Sequence, residues 1–337
     1  MFLGDIFFSV IIPVFNRPDE VEELLASLSN QKCKNFETII VEDGSNIPCE
    51  QIVEKYKKEI AISYFVKPNS GPGDTRNFGA KQAKGNYFVF FDSDCIIPEN
   101  YFCEVNKVLQ TDFVEAYGGA DAAHHSFTPV QKAISYAMTS FFTTGGIRGG
   151  KTFNPKKFHP RSFNMGFSRE VFELTKGFGT MRFGEDIDMS LRIKEAGFRT
   201  TLIKNAFVYH KRRTDFWKFF KQVHNSGIAR INLYKRHSKS LKIVHFLPAF
   251  FTLGLFLLLI ALFFVPILAL SPVFLFSLLI FFDALLIKKN TFEVAYLAIQ
   301  ASFVQLIGYG TGFLKGFWRR IILRKPEFHS FTRNFYK

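Results

Sequence analysis

Two carboxylates one residue apart, Asp92 and Asp94, close the apolar run "VFF" that begins at Val89, and the proline of "CIIPEN" follows. A carboxylate costs energy to desolvate, and a second one nearby raises that cost. Such a pair is therefore solvated, hydrogen-bonded or gathered around a cation. A second pair, Glu185 and Asp186, stands in "FGEDIDMSLRIKEAGF". Ile187 and Leu191 lie one turn apart there, which puts both acids at a helix start. They can cap that helix, and capping is compatible with taking a proton from a hydroxyl within hydrogen-bond reach. Further polar residues stand where apolar runs end: Asn16 after "FFSVIIPVF" and Asp43 in "ETIIVEDGS". Each has a structural alternative, since "EDGS" is also turn chemistry, and Asp74 or Thr75 in "SGPGDTRNFGAKQAKG" can simply cap a helix. Their order after successive strand-like runs sets them apart.

Those runs define the scaffold. "FFSVIIPVF", "ETIIVEDGS", "AISYFVKP" and "NYFVFFDSD" are short, apolar and rich in β-branched and aromatic residues. Helical patterns lie between them, such as "PDEVEELLASLSNQ", where Val21, Leu24, Leu25 and Leu28 share one face behind an acidic first turn. Strand alternating with helix predicts an α/β fold with a mostly parallel sheet flanked by helices. Ligands of such sheets sit outside the carboxyl ends of the strands, where Asn16, Asp43, Asp92 and Asp94 fall. A dinucleotide-binding dehydrogenase would need G-x-G-x-x-G after its first strand, and "PVFNRPDE" has none.

The chain has 337 residues, 47% of them apolar, with 44 phenylalanines, more than one domain core consumes. The surplus is concentrated from Leu241 to Lys289, where Asp283 is the one internal carboxylate. This stretch divides near "PILALSP" into two segments, about 243–265 and 267–287, each long enough to cross a hydrocarbon core of about 30 Å. The net charge of +14 is locally biased: Lys204 to Lys242 holds 11 Lys or Arg and one acid, Asp215. Basic flanks mark the cytoplasmic side of a span and attract anionic lipid, whereas no zinc spacing or aromatic RNP-type pattern supports a nucleic-acid partner. Cys33, Cys49, Cys95 and Cys103 lack paired metal spacing and are expected to be reduced thiols.

"SVIIPVFNR", "IIVEDGS", "GPGDTRNFGAKQAKGNYFVFFDSD", "FNMGFSREVFELTKGFG" and "GEDIDMSLRIKEAGF" together resemble the successive motifs of the family 2 glycosyltransferases, which have the GT-A fold. The likeness covers roughly residues 7–230, and the apolar tail resembles the membrane anchor of some members. It implies inverting transfer of one sugar from a nucleotide-diphosphate donor, a UDP- or GDP-sugar, with Mn2+ or Mg2+. The leaving diphosphate needs its developing charge neutralised, and a hard cation on oxygen ligands does this. By the resemblance Asp94 is the direct ligand, while Asp92 holds the ribose or a metal-bound water. His210 matches a position that can complete the metal shell, although a lone histidine is more often structural. Asp43 is expected at the base and Arg76 beside base or phosphates. Backbone at Pro13 and Val14 is expected to line the same pocket, with Asn16 and Asn164 among the substrate contacts. Asp186 is expected as the base that deprotonates the acceptor, and Glu185 as the residue that orients acceptor or base.

Processive members carry Gln-x-x-Arg-Trp before their channel helices. The nearest text here, "QVHNSGIAR" from Gln222, has no Trp. The expectation is a distributive enzyme at the inner membrane face, with its catalytic part in the cytoplasm, acting on a lipid-linked glycan in polysaccharide or glycolipid synthesis. The alternatives are a polyprenyl-phosphate glycosyltransferase and a non-catalytic nucleotide-sugar-binding membrane protein. The expected division is a catalytic domain at 1–240, with a donor half at 7–120 and an acceptor half at 121–240, then a membrane domain at 241–337. A third apolar segment at about 291–318 carries Glu293, Gln300, Gln305 and several glycines, and is expected to be re-entrant or interfacial. The Gly-rich basic stretch from Thr143 to Arg161, with Gly145, Gly146, Gly149 and Gly150, is expected to be a lid over the acceptor side.

Overall fold

A computed structural model describes residues 5–122, 127–145 and 158–331. The described residues form two compact units. The first takes 5–122 and 158–211, the second 127–145 and 212–331.

The first unit opens with β1 (Phe8–Val14), α1 (Pro18–Ser29), β2 (Phe36–Asp43), α2 (Glu50–Tyr56), β3 (Ile62–Lys67), α3 (Pro72–Gln82) and β4 (Tyr87–Phe91). The short β5 (Cys95–Ile96), α4 (Tyr101–Thr111) and β6 (Ala116–Ala122) follow. The four strands read from the sequence are β1 to β4, and they pair in parallel in the order β3-β2-β1-β4. Alternate side chains of β1 face opposite ways. Val10, Ile12 and Val14 pack with Val21, Leu24, Leu25 and Leu28 of α1, while Ile11 joins Ile39, Val41 and Ala80 on the other face. Helices cover both faces, so β2 is buried along its whole length instead of alternating with solvent.

Lower in the chain the unit adds β7 (Asn164–Ser168), α7 (Arg169–Thr175), α8 (Glu185–Glu195) and β8 (Thr200–His210). β7 runs antiparallel to β4 and β6, β6 pairs in parallel with β8, and β5 pairs antiparallel with β8. The eight-stranded mixed sheet is ordered β3-β2-β1-β4-β7-β6-β8-β5. Gly184, with φ of 84°, supplies the left-handed turn from which α8 starts, a conformation that costs a residue with Cβ. Cys33, after α1, is bonded to Cys103 in α4, with Cα atoms 5.4 Å apart. This departs from the expectation of four reduced thiols: 70 residues of chain separate the two, and only the packing of α4 beside the end of α1 brings them within disulfide reach.

The second unit comprises α5 (Pro129–Thr139), α6 (Phe141–Thr144), α9 (Phe216–Arg236), α10 (Leu247–Ala261), α11 (Pro266–Phe282) and α12 (Phe292–Phe317). It takes up the chain again at 212, and 127–145 packs with it. The cause is packing. Ala133, Ile134 and Ala137 of α5 form one cluster with Phe219 and Val223 of α9 and Ala301 of α12. Tyr136 donates a 2.6 Å hydrogen bond to Asp283, satisfying the carboxylate of the apolar hairpin. Among the described residues three helices are long and apolar enough to cross a membrane: Ile243–Ala261, Pro266–Ile287 and Phe292–Ile322. The third runs without the break that a re-entrant segment would need. It is also far more buried than the other two, because the second half of α12 lies directly on α9. A Cβ at Gly312 would clash with the carbonyl oxygen of His224, and one at Gly227 with that of Tyr309, so glycine sets the close approach of the two helices.

Candidate active site

The carboxyl ends of β2, β1 and β4 lie side by side and carry the first group of polar residues. Asn16, with φ of 53°, accepts from the N–H groups of Asn46 and Ile47 at 2.7 and 3.1 Å, tying the turn after β1 to the loop after β2. Val14 is in the core, so only its backbone can meet a ligand, while Pro13 is partly exposed. Asp43 accepts from Lys67 Nζ at 2.6 Å and from the N–H groups of Ser70 and Gly71, both at 2.8 Å. It thus fixes the loop that leads into α3.

Asp92 and Asp94 follow β4, but their surroundings differ. The Asp92 side chain remains 31% exposed and accepts from Arg76 Nη2 at 2.6 Å. Asp94 is buried, with Arg17 Nη1 2.6 Å from Oδ2 and His210 Nε2 3.2 Å from Oδ1. The pairing of β5 with β8, which sets Cys95 opposite His210, delivers the histidine across 116 residues of chain. Phe163 stacks on the imidazole with ring centroids 4.6 Å apart. Burial alone would raise the Asp94 pKa, but His210 and Arg17 outweigh it and hold the carboxylate well below its ordinary range.

Arg76, on α3 and almost fully buried, is the hinge of the site. One guanidinium nitrogen meets Asp92 at 2.6 Å and the other meets Glu185 at 3.2 Å, and its plane lies against Phe178. Glu185 and Asp186 are both buried at the start of α8. Asp186 Oδ1 accepts from the N–H of Ile187 at 2.8 Å, and Oδ2 is held by Arg161 Nε. The environment splits the pair. Burial and then the charge of Asp186 push Glu185 up to about 7 against the pull of Arg76, whereas for Asp186 the opposing effect of burial is overcome by Arg161 and the Ile187 N–H, and its pKa is lowered. Two carboxyl groups pushed apart in this way are suited to different roles at one pH.

Asp92, Arg76 and Glu185 thus form a chain joining the two carboxylate sites, and Asp94 and His210 meet beside it. Asn164 does not open onto this cluster. Its side chain is buried, accepting from Tyr101 at 2.6 Å and donating to the carbonyls of Ala120 and Ala206, so it braces β7, β6 and β8. Gly146, Gly149 and Gly150 of the expected lid lie outside the described residues. Arg17, Lys67 and Arg161 went unnoticed in the sequence. Arg17 does adjoin Asn16, but nothing local signals Arg161, whose partner lies 25 residues on.

Residues 9–175 match the model of glycosyl transferase family 2. The chain carries a family 2 glycosyltransferase domain. Over 143 residues it is 45% identical to an uncharacterized glycosyltransferase of Rickettsia conorii, covering 42% of this chain and 23% of that one. Over 91 residues it is 41% identical to the poly(ribitol-phosphate) beta-N-acetylglucosaminyltransferase TarS of Staphylococcus aureus, covering 26% of this chain and 16% of the other. The chain therefore spans less than a quarter of the length of these curated relatives. A solved mannosyltransferase of Pyrobaculum calidifontis, PcManGT, in complex with GDP-Man and Mn2+, superposes with a TM-score of 0.59 at 15% identity, covering 94% of this chain and 89% of that one. The fold is the GT-A arrangement expected from the sequence. Within the glycosyltransferase domain lie Asn16, Asp43, Arg76, Asp92 and Asp94; Glu185, Asp186 and His210 fall beyond the matched stretch.

Proposed function

We propose that the protein is an inverting glycosyltransferase that moves one sugar from a UDP- or GDP-sugar to a hydroxyl of a lipid-linked glycan at the inner face of a membrane. The observation that carries this reading is the Arg76 bridge. One buried guanidinium holds a donor-side carboxylate, Asp92, and the acceptor-side Glu185 in fixed relation, with Asp186 beside them.

The residues present fit a divalent cation. Asp94 Oδ1 is buried and receives no well-aligned hydrogen bond, and an imidazole nitrogen faces it at 3.2 Å. Asp94, Asp92 and His210 would hold Mn2+ or Mg2+ through oxygen and nitrogen donors. Cys95 borders the same cluster, but burial pushes its thiol pKa well up, and a neutral thiol is a poor ligand for a hard cation. When bound, the ion neutralises the charge developing on the leaving diphosphate.

The chain's own residues supply the rest. Asp43 and the loop it fixes face the base, and Arg76, a permanent cation held in place by two carboxylates, lies beside the phosphates. Asp186 takes the proton of the acceptor hydroxyl as that oxygen bonds to the anomeric carbon and the carbon–diphosphate bond breaks on the opposite face. Arg161 must yield Asp186 to the acceptor for this step. The same contact favours a second reading, a lipid-phosphate acceptor, which needs no base and would meet Arg161 as an anion. Helices α10 and α11 fit a membrane hairpin with basic residues on its cytoplasmic flank, and α12 lies partly along α9 in the interface. In a reducing cytoplasm Cys33 and Cys103 would stand as thiols.

The test is a panel of UDP- and GDP-sugars incubated with membranes carrying the protein or its Asp186→Asn variant. Transfer to a neutral glycan lipid that the variant loses supports the first reading. Transfer to polyprenyl phosphate that the variant retains supports the second.

A further inference from the structure

Arg17 has no place in the reaction as described, yet it occupies Asp94, the buried member of the Asp92/Asp94 pair. Its Nη1 lies 2.6 Å from Oδ2 of the same carboxylate whose other oxygen, Oδ1, faces His210 and would meet a divalent ion. The backbone under it is fixed, since neighbouring Asn16 is bonded to Ser45, Asn46 and Ile47. The side chain itself is long and 34% exposed, against 10% for Asp94. A guanidinium does not lose its proton in a protein, so it cannot make room for a second cation by becoming neutral. Two cations on one buried carboxylate repel strongly.

We propose that Arg17 is a placeholder for the divalent cation: it neutralises Asp94 while the metal is away and must swing out before the metal can bind. This rests on the metal-dependent reading given above. Its consequence is that the ion alone binds weakly. A nucleoside diphosphate entering with the ion offers the released guanidinium a charge-assisted partner. Ion and donor then bind cooperatively, each raising the affinity of the other.

The experiment measures free Mn2+ by electron paramagnetic resonance during titration of the purified full-length protein, with no donor present. Arg17→Gln is expected to bind Mn2+ roughly three- to tenfold more tightly than the wild type, the range expected when a competing ion pair is removed. Arg17→Lys is expected to fall between them. Adding UDP or GDP is expected to tighten Mn2+ binding more in the wild type than in Arg17→Gln. Equal or weaker Mn2+ binding by Arg17→Gln, in a wild type whose binding is lost in Asp94→Asn, overturns the placeholder and leaves the metal site standing. Failure of every form to bind Mn2+, with or without nucleoside diphosphate, removes the metal site and the placeholder with it.

Discussion

The two carboxylate pairs carry the same formal charge, but one keeps a member, Asp92, open to solvent while the other is buried throughout. Asp92 and Asp94 leave the end of a central strand, Asp92 open to solvent and tied to Arg76, Asp94 held between Arg17 and His210. Glu185 and Asp186 are adjacent in sequence, both buried at a helix start, and pushed to opposite sides of the ordinary carboxyl range. The first arrangement keeps charge available to a cation. The second makes one carboxyl easy to protonate and keeps the other ionised. Local solvation and the choice of arginine partner, more than residue type, assign the roles.

The contrast breaks most severely at Arg76, which both pairs share. Arg76→Ala leaves Glu185 buried without its counter-charge and frees Asp92, so a loss of about 3–5 kcal/mol in unfolding free energy is expected, with transfer abolished. Denaturant melts in detergent measure it. A loss below about 1 kcal/mol would mean that the bridge does not hold the two sites together.

Glu185→Gln sharpens the contrast through pH. The folded state holds the Glu185 proton up to about pH 7, whereas the unfolded chain releases it near 4.5, so this residue's contribution to stability falls as pH rises across that window. Gln does not titrate. The variant is therefore expected to match or exceed the wild type by about 1 kcal/mol at pH 8 and to lose that advantage at pH 5. Melting temperatures at the two pH values check the sign, and a variant less stable at pH 8 than at pH 5, relative to the wild type, contradicts it.

Arg161→Ala is the mildest change. Arg161 is the main group holding the Asp186 pKa down against burial, so the acid limb of the pH–rate profile is expected to move to higher pH. An unmoved limb would separate Asp186 from the titration that governs rate.

Much of this was legible in the sequence wherever the signal is local. The ends of β1, β2 and β4 follow from apolar runs closed by polar residues, and the start of α8 follows from acids ahead of a helical period. Long-range placement was not legible. Only the family resemblance offered His210 as a partner of Asp94, because the contact is made through the two-residue strand β5, too short to show any period. Asn164 belongs to a motif, yet its amide is spent on bracing backbone carbonyls, and that is decided by the β6–β7–β8 packing. Helices α5 and α9 fall inside the stretch 1–240 expected as a catalytic domain, where no pattern in the sequence tells what they pack against. Only the facing stripes of α12 show what their apolar sides cover.

The central claim is that one carboxylate site binds and the other turns over, and two variants measured side by side test it most directly. Nucleoside-diphosphate and metal affinity by calorimetry, and the transfer rate, are measured for Asp94→Asn and Asp186→Asn. Asp94→Asn is expected to weaken metal-dependent donor binding, with partial recovery at high metal, because it removes charge from the cation's shell. Asp186→Asn keeps shape and helix start but loses the proton acceptor, so binding is expected to stay near that of the wild type while transfer falls by about 10² to 10⁴. An Asp186→Asn enzyme that keeps most of its turnover, or loses donor binding as severely as Asp94→Asn, would contradict the separation of roles.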